Sequence, residues 1–294
     1  RTAACGAVSE QEQPWPAPAK LNLFLRILGR RGDGMHRIQT VFQFLDLHDD
    51  LHFGPRGDGK IIRHPGGGSG DSIAPNDDLA VRAAILLQRL SAHPGGVDIR
   101  ITKRIPVASG LGGGSSCAAT TLLALNAIWR LGLSIERLAT IGLGLGADVP
   151  VFVRGHAAFA EGVGEVLHPL APAEAHYAVL APPCRVPTAQ VYAAAKLTAA
   201  RRPITIRDFQ NGGGALGNDL EPVTCRLFPE VAAALAHLSK WGPARQSGSG
   251  GAVFVAARDA ASARCIAQAA PAGFRGFAAR GVNIHPLAAR ATGV

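Results

Sequence analysis

Alternation of apolar and polar positions is the first pattern along the chain. Leu21, Leu23, Leu25 and Ile27 share one side of a period-two stretch over 20–28, which predicts a strand with Lys20 at its entrance. Gly32-Asp33-Gly34 reads as a turn, and 37–47 as a second apolar strand that runs into acidic loop residues. Val97, Ile99 and Ile101 alternate with Asp98, Arg100 and Thr102, a further strand. Helical spacing takes over at Leu79, Ala83, Leu86, Leu87 and Leu90. It predicts a helix over 77–91, capped by Asn76, with Asp77 and Asp78 well placed in its first turn. Glycine-rich 65–70 is expected to be a surface loop.

Later segments follow the same rules. A long Ala/Leu helix is expected to open at Cys117-Ala118-Ala119, a second helix near Ser134, and 149–153 reads as buried. Helices are expected after Pro187-Thr188 and after Pro229, and a strand over 252–256 follows the glycine loop Ser247-Gly248-Ser249-Gly250-Gly251. Gly and turn signals crowd 155–170 and suggest a boundary near residue 160. Strands and helices mix without regular alternation, so the class is α+β rather than doubly wound.

Composition narrows the possibilities. The 294 residues are 47% hydrophobic, 17% charged and 5% aromatic, enough for one large domain or two ordinary ones. They lack the bias of collagen, coiled coil or disorder, and no run of about 18 apolar residues exists to span a membrane. Arg1-Thr2-Ala3-Ala4-Cys5-Gly6 has no apolar core of signal-peptide length, and 1–14 is expected to be a loose tail. Cys5, Cys117, Cys184, Cys225 and Cys265 make an odd, unpatterned set, expected to be reduced thiols of a cytoplasmic protein. The formal charge of +9 is dispersed, densest at Arg30-Arg31 and Arg201-Arg202, without a groove of interleaved aromatics. A nucleic-acid partner is therefore not expected.

Pro106-Val107-Ala108-Ser109-Gly110-Leu111-Gly112-Gly113-Gly114-Ser115-Ser116 is the strongest chemical signal. Its glycines let backbone approach a phosphate, and the helix that follows offers unpaired N–H groups and a positive dipole end. No Gly-Lys-Ser/Thr follows, so it is not a Walker loop, and Ser115 stands where a dinucleotide fingerprint needs its third glycine. Asp148, between apolar stretches, reads either as a helix cap or as a general base; Lys20 reads either as a solvated lysine or as its partner. At a phosphate loop, such a carboxylate and ammonium suit phosphoryl transfer to an alcohol.

Other chemistries do not fit. Neither Ser115 nor Ser249 sits in a Gly-x-Ser-x-Gly elbow, and no Cys-x-x-Cys or His-Glu-x-x-His occurs, so neither a structural nor a catalytic zinc is expected. His48 and His52, four apart in an acidic stretch, read as surface residues rather than ligands.

Residues 106–119 resemble the central motif of the galactokinase, homoserine kinase, mevalonate kinase and phosphomevalonate kinase superfamily. Pro18-Ala19-Lys20-Leu21-Asn22-Leu23 and the loop at 247–251 resemble its first and third motifs, in the expected order. More narrowly, Gly34-Met35-His36, Gln39-Thr40-Val41-Phe42 and the stretches 145–152 and 155–165 resemble the 4-diphosphocytidyl-2-C-methyl-D-erythritol kinase family. The resemblance implies a two-domain α+β kinase with its site in the interdomain cleft: an ATP-binding domain over 15–160 and a C-terminal domain over 161–294 contributing to the substrate site. It implies ATP as co-substrate, Mg2+ with it, and phosphorylation of the 2-hydroxyl of a cytidylylated sugar alcohol on the methylerythritol phosphate route to isoprenoid (terpenoid) precursors.

Residue roles carry over on the same basis. Lys20 and Asp148 match the catalytic pair, residues 106–116 match the loop around the ATP phosphates, and Lys103 matches a lysine near the nucleotide. Asn22, His36, Thr188 and Tyr192, with Met35, Ser247 and Gly248 beside them, match the cytidylyl side. Three positions depart from the pattern: Met35 replaces an aromatic that stacks on cytosine, Asp78 replaces an Asn on the nucleotide side, and Cys117 replaces the Asn or Asp after the double serine. A monomer or weak homodimer is expected. Two other readings remain: a superfamily kinase for a different small alcohol, and a non-catalytic nucleotide sensor on the same fold.

Overall fold

The computed structural model describes residues 13–66, 73–74, 77–195, 201–212 and 217–287. Its spine is an antiparallel ribbon of β1 (Trp15–Arg30) and β2 (His36–Arg56), with Lys20 opposite Phe44, Asn22 opposite Phe42 and Arg30 opposite His36. Both strands outrun the sequence expectation. Lys20 lies inside β1 rather than at its entrance, because Pro16 and Pro18 are tolerated in a strand that ladders only against β2. β2 continues through its acidic residues, where Asp50 pairs with Thr102 across to the next strand.

Around the ribbon one ten-stranded sheet forms. Its main order is β3 (Ile61–His64), β4 (Gly96–Thr102), β2, β10 (Arg275–Val282), β7 (His176–Ala181), β9 (Val253–Ala257) and β8 (Arg245–Gln246). β5 (Ala158–Glu161) and β6 (Val166–Pro169) occupy the turn-rich stretch, and β5 pairs with β2 over residues 40–42.

Helices cover the sheet in two groups. α1 (Leu79–Ser91), α2 (Gly113–Ile128), α3 (Ile135–Leu143) and α4 (Val149–Arg154) pack one core in which Leu122, Leu125 and Phe152 meet Phe42, Phe44, Ile99 and Ile101. Each fully buried leucine there contributes roughly 1.5–3 kcal/mol. α5 (Thr188–Ala194), α7 (Glu221–Leu227), α8 (Pro229–Leu238) and α9 (Ala260–Gln268) build a second core on β7 and β9, while α6 (Ile206–Gln210) is a short surface turn. Leu25, Ile27 and Ile38 of the ribbon belong to the second core, and Leu21, Phe24 and Val41 to a third between the two. β1 and β2 thus run through both halves, and side chains at the junction are held from both sides.

Three local expectations are corrected. α1 starts at Leu79, with Asp78 itself the cap, accepting from the Ala80 amide at 2.9 Å; Asn76 lies outside the described residues. α2 starts at Gly113, four residues before Cys117, since Gly112 takes the left-handed conformation (φ +74°) that ends the loop. The buried stretch at 149–153 is helix α4, entered through Pro150, which suits a first turn because its missing N–H has no helical partner there. The tail over 1–14, apart from Gln13 and Pro14, and 67–70 of the expected glycine loop also lie outside the described residues. Cys117, Cys184, Cys225 and Cys265 are free thiols. Among the described residues no helix is long and apolar enough to cross a membrane.

Candidate active site

A cleft of about 800 Å³ opens where the ribbon passes between the two helical groups. At its floor lies Lys20, only 3% exposed, on a strand whose backbone is tied to the glycine loop by Lys20 N donating to the Leu111 carbonyl at 2.9 Å. The Lys20 ammonium donates to the Gly110 carbonyl at 2.9 Å and to Asn22 Oδ1, and stands 3.3 Å from Asp148 Oδ2. Asn22 in turn donates to Thr40 Oγ1 at 2.9 Å. Lys20 is thus held on three sides, and the solvated alternative is removed.

Asp148 occupies the cap position of α4, yet its side chain accepts no capping hydrogen bond. Its carboxylate is turned to Lys20 instead and is about one-third exposed. That geometry fits a proton acceptor paired with an ammonium on one side and open to a ligand on the other.

Above the pair, the loop at 106–112 feeds α2. Ala108, Gly110 and Gly112 all take positive φ. Gly112 offers no capping side chain, so the first amides of α2, at Gly113, Gly114 and Ser115, are left for a ligand at the positive end of the dipole. The loop is locked by the second glycine loop. A Cβ on Gly250 would lie 2.0 Å from the Gly110 nitrogen, and one on Gly110 would lie 2.3 Å from the Ser247 carbonyl. Ala252 N donates to the Ser109 carbonyl at 2.7 Å, and Ser247 Oγ bridges the Asn22 amide and the Gly110 carbonyl. Only glycines permit this interlock.

The opposite wall carries His36, Thr188, Tyr192 and Met35. The His36 and Tyr192 rings stack, centroids 5.1 Å apart and 30° between planes. Burial, reinforced by the facing Asp148, pushes the Tyr192 phenol well above its ordinary value, so it is a neutral donor. Burial and then the Arg30 guanidinium hold His36 below the usual histidine value. Thr188 Oγ1 and Ser249 Oγ are 2.9 Å apart, joining α5 to the second glycine loop.

Of the sequence-selected residues, Lys20, Asn22, Met35, His36, Ala108, Ser109, Gly110, Gly112, Gly113, Gly114, Ser115, Asp148, Thr188, Tyr192 and Gly248 line the cleft. Leu111, Ser116 and Ser247 are buried behind it, and Pro106 and Val107 are half-buried beside it. Lys103 does not line it either. Its ammonium lies beneath α2, against the fully buried Asp49 carboxylate and 3.8 Å from Cys117 Sγ. Asp49 also accepts from the Arg104 and Ile105 amides at 2.7 and 2.9 Å. Burial works against the Lys103 charge, but Cys117, Asp49 and Asp78 around it hold its proton affinity above the ordinary value. Burial pushes the Cys117 thiol up to about 12, which leaves it unreactive. Asp78 is committed to its cap and to Arg63 Nε at 3.1 Å.

Sequence reasoning missed Arg30, Ser249, Leu79 and the pair Gly146-Ala147, all of which line the cleft. Arg30 was within reach: the turn at 32–34 sets a register that places it across from His36.

Models of the GHMP kinases N terminal domain and the GHMP kinases C terminal domain match residues 78–156 and 194–276. A 4-diphosphocytidyl-2-C-methyl-D-erythritol kinase of Thiobacillus denitrificans is 49% identical over 275 residues, covering 94% of this chain and 97% of its own. A crystal structure of a 4-(cytidine 5'-diphospho)-2C-methyl-D-erythritol kinase superposes with a TM-score of 0.78 at 36% identity, over 91% of this chain and 98% of that one. A homoserine kinase from Cytophaga hutchinsonii, TM-score 0.67 but 14% identical over 95% and 97%, shares the fold alone. With near-complete coverage at about half identity, and the glycine loops interlocked over a buried lysine, the chain belongs to the 4-diphosphocytidyl-2-C-methyl-D-erythritol kinase family of the GHMP kinases.

Proposed function

We propose that this chain transfers the γ-phosphoryl group of ATP to the tertiary 2-hydroxyl of 4-diphosphocytidyl-2-C-methyl-D-erythritol, a step in making isoprenoid precursors. The observation that carries this reading is the Lys20–Asp148 pair, set between the open amides of α2 and the His36–Tyr192 wall. Triphosphate lies against the Gly113–Ser115 amides, where the dipole offsets its charge. The hydroxyl oxygen attacks the γ-phosphorus, the bond to the β-bridging oxygen breaks, and its electrons leave with ADP. Asp148 takes the hydroxyl proton, and Lys20 orients the oxygen and offsets the charge that grows on the transferring group.

The cytidylyl end is held on the far wall. His36, Thr188 and Tyr192 supply hydrogen bonds and ring contact there, Asn22 adds its remaining amide N–H from the floor beside Lys20, and Met35 covers the base from the side. Asp148 is the one carboxylate lining the cleft among the described residues, and Ser115 offers a hydroxyl beside the phosphate site. That hard-oxygen set fits Mg2+ held mostly by phosphates and water, with these two residues at its edge. When bound, the ion neutralises phosphate charge. Both substrates are polar small molecules of the cytoplasm, where the enzyme works as a monomer or weak homodimer.

ADP release with a panel of alcohols tests the reading. Turnover is expected with the cytidylylated methylerythritol and not with homoserine or mevalonate. The reverse result overturns it, and nucleotide binding without turnover on any alcohol would favour a sensor.

A further inference from the structure

Arg30 and Arg31 are adjacent at the end of β1, yet they meet different fates. Arg31 is paired with Asp33 at 3.0 Å and lies 3.7 Å from Glu165. Arg30 faces the other way. It is the direct cross-strand partner of His36, so the two side chains share a face, and both line the cleft. Its Nε donates to the Gly34 carbonyl at 2.9 Å, which fixes the plane of the guanidinium. Among the described residues no carboxylate lies within ion-pair distance of it. The remaining N–H edge is therefore available to a ligand.

Charge accounting across the cleft points to what that ligand is. Among the described residues, Lys20 and Arg30 are the only lysine or arginine side chains that line it. Lys20 is taken by Asp148, Asn22 and the Gly110 carbonyl at the reaction centre. The triphosphate has the α2 amides; a second anionic group on the His36 side has only Arg30. A planar guanidinium with a free edge matches a phosphate by two parallel N–H donors. That Arg30 also depresses the proton affinity of His36 shows how closely its charge is felt on that wall.

We infer that Arg30 recognises the diphosphate of the cytidylyl substrate, making it a specificity-determining residue at the mouth of the cleft. The inference rests on the proposed function, because that substrate supplies a diphosphate one ribose away from the base held near His36. It distinguishes a cytidine diphosphate derivative from an uncharged nucleoside of the same shape. Lysine would keep the charge but lose the fork, so Arg30→Lys should retain only part of the effect.

Calorimetric titration with cytidine and with CDP tests this, with the phosphate loop saturated by a non-hydrolysable ATP analogue. The wild-type protein is expected to bind CDP about tenfold more tightly than cytidine, and Arg30→Gln to erase that preference while leaving cytidine affinity unchanged. Arg30→Lys should fall between them, and the Michaelis constant for ATP should stay within about twofold in both variants. Equal weakening of cytidine and CDP, or no change in either, overturns the assignment. Turnover by the wild-type enzyme reports on the proposed reaction, whereas the CDP-to-cytidine ratio reports on Arg30, so the two can fail separately.

Discussion

Asp148 Oδ2 lies 3.3 Å from the Lys20 ammonium and contributes nothing to the cap of the helix it begins. A structural aspartate at that position would bond the α4 amides; this one is turned to the Lys20 ammonium instead. Asp148→Asn should therefore keep the fold and ATP affinity and lower kcat by roughly 10²–10⁴, the usual worth of a general base. Lys20→Ala should lose turnover as severely, since it removes both the orienting donor and the compensating charge. Near-normal kcat in the first variant would exclude Asp148 as the base, and in the second would make Lys20 a structural tie only.

Glycine substitutions separate the interlock from the rest of the loop. A Cβ on Gly250 would sit 2.0 Å from the Gly110 nitrogen, backbone against backbone, so Gly250→Ala must push the two loops apart. One on Gly112 would press Phe152 at 2.9 Å and the Lys20 side chain at 3.0 Å, at a positive φ that disfavours any side chain. By contrast, a Cβ on Gly114 would only touch Leu79 at an ordinary 3.4 Å. Gly250→Ala and Gly112→Ala should raise the Michaelis constant for ATP about tenfold or more, and Gly112→Ala should also lower kcat through Lys20. Gly114→Ala should stay within about twofold. Equal effects of all three would mean that the space around each glycine does not govern the loop.

How legible the site was depends on the kind of signal. Lys20, Asp148 and the glycine loop stand in motifs whose residue types already imply their chemistry, although nothing in their spacing shows that positions 20 and 148 meet. Lys103 carried a motif role, but only tertiary packing reveals that Asp49 draws it under α2. Asp49 itself read as loop because a charge in a strand pattern looks like its end; two backbone amides and a lysine make its burial tolerable. The start of α2 is hidden for a local reason, since glycine's low helix propensity masks a first turn whose geometry requires glycine at Gly112. Tertiary pairing overrode local preference in β1 as well, where Pro16 and Pro18 hide a strand that only an edge position allows.

His285 predicts a pH dependence of stability. It is 1% exposed and rests edge-on against Phe44; its Nδ1 accepts from the Leu287 amide, and its buried Nε2 has no partner among the described residues. Burial lowers its pKa from 6.5 to about 3. As pH falls below about 6.5 the unfolded chain takes up a proton that the folded chain refuses, so the stabilisation is full above that value and is lost toward pH 3. The slope is about 1.4 kcal/mol per pH unit, or about 2 kcal/mol by pH 5. Thermal melts of the wild type and His285→Asn, whose side-chain oxygen can replace Nδ1, should converge as the pH is lowered from 7 to 4.5. Parallel curves would mean that His285 is protonated in the folded state.

Met35 tests the substrate wall. Its backbone is fixed by the turn, with Met35 N donating to Asp33 Oδ1 at 3.1 Å and the Met35 carbonyl accepting from Arg31 N at 2.7 Å. The side chain is 50% exposed and lines the cleft next to His36, so it is neither core nor remote surface. Tyr192 has one ring face stacked with His36; if a base bound there has one face covered by Tyr192, as proposed, Met35 should cover the other. A thioether packs there but has no rigid plane, whereas a tyrosine ring would be preorganised for stacking. Met35→Tyr should strengthen binding of the cytidylyl substrate by about 0.5–1.5 kcal/mol, seen as a roughly 2- to 10-fold lower Michaelis constant. That for ATP should not move. Met35→Ala should shift the cytidylyl value the other way by removing the contact. If both variants leave it unchanged, the base does not lie against residue 35, and the cytidine site must be drawn elsewhere along the wall of His36 and Tyr192.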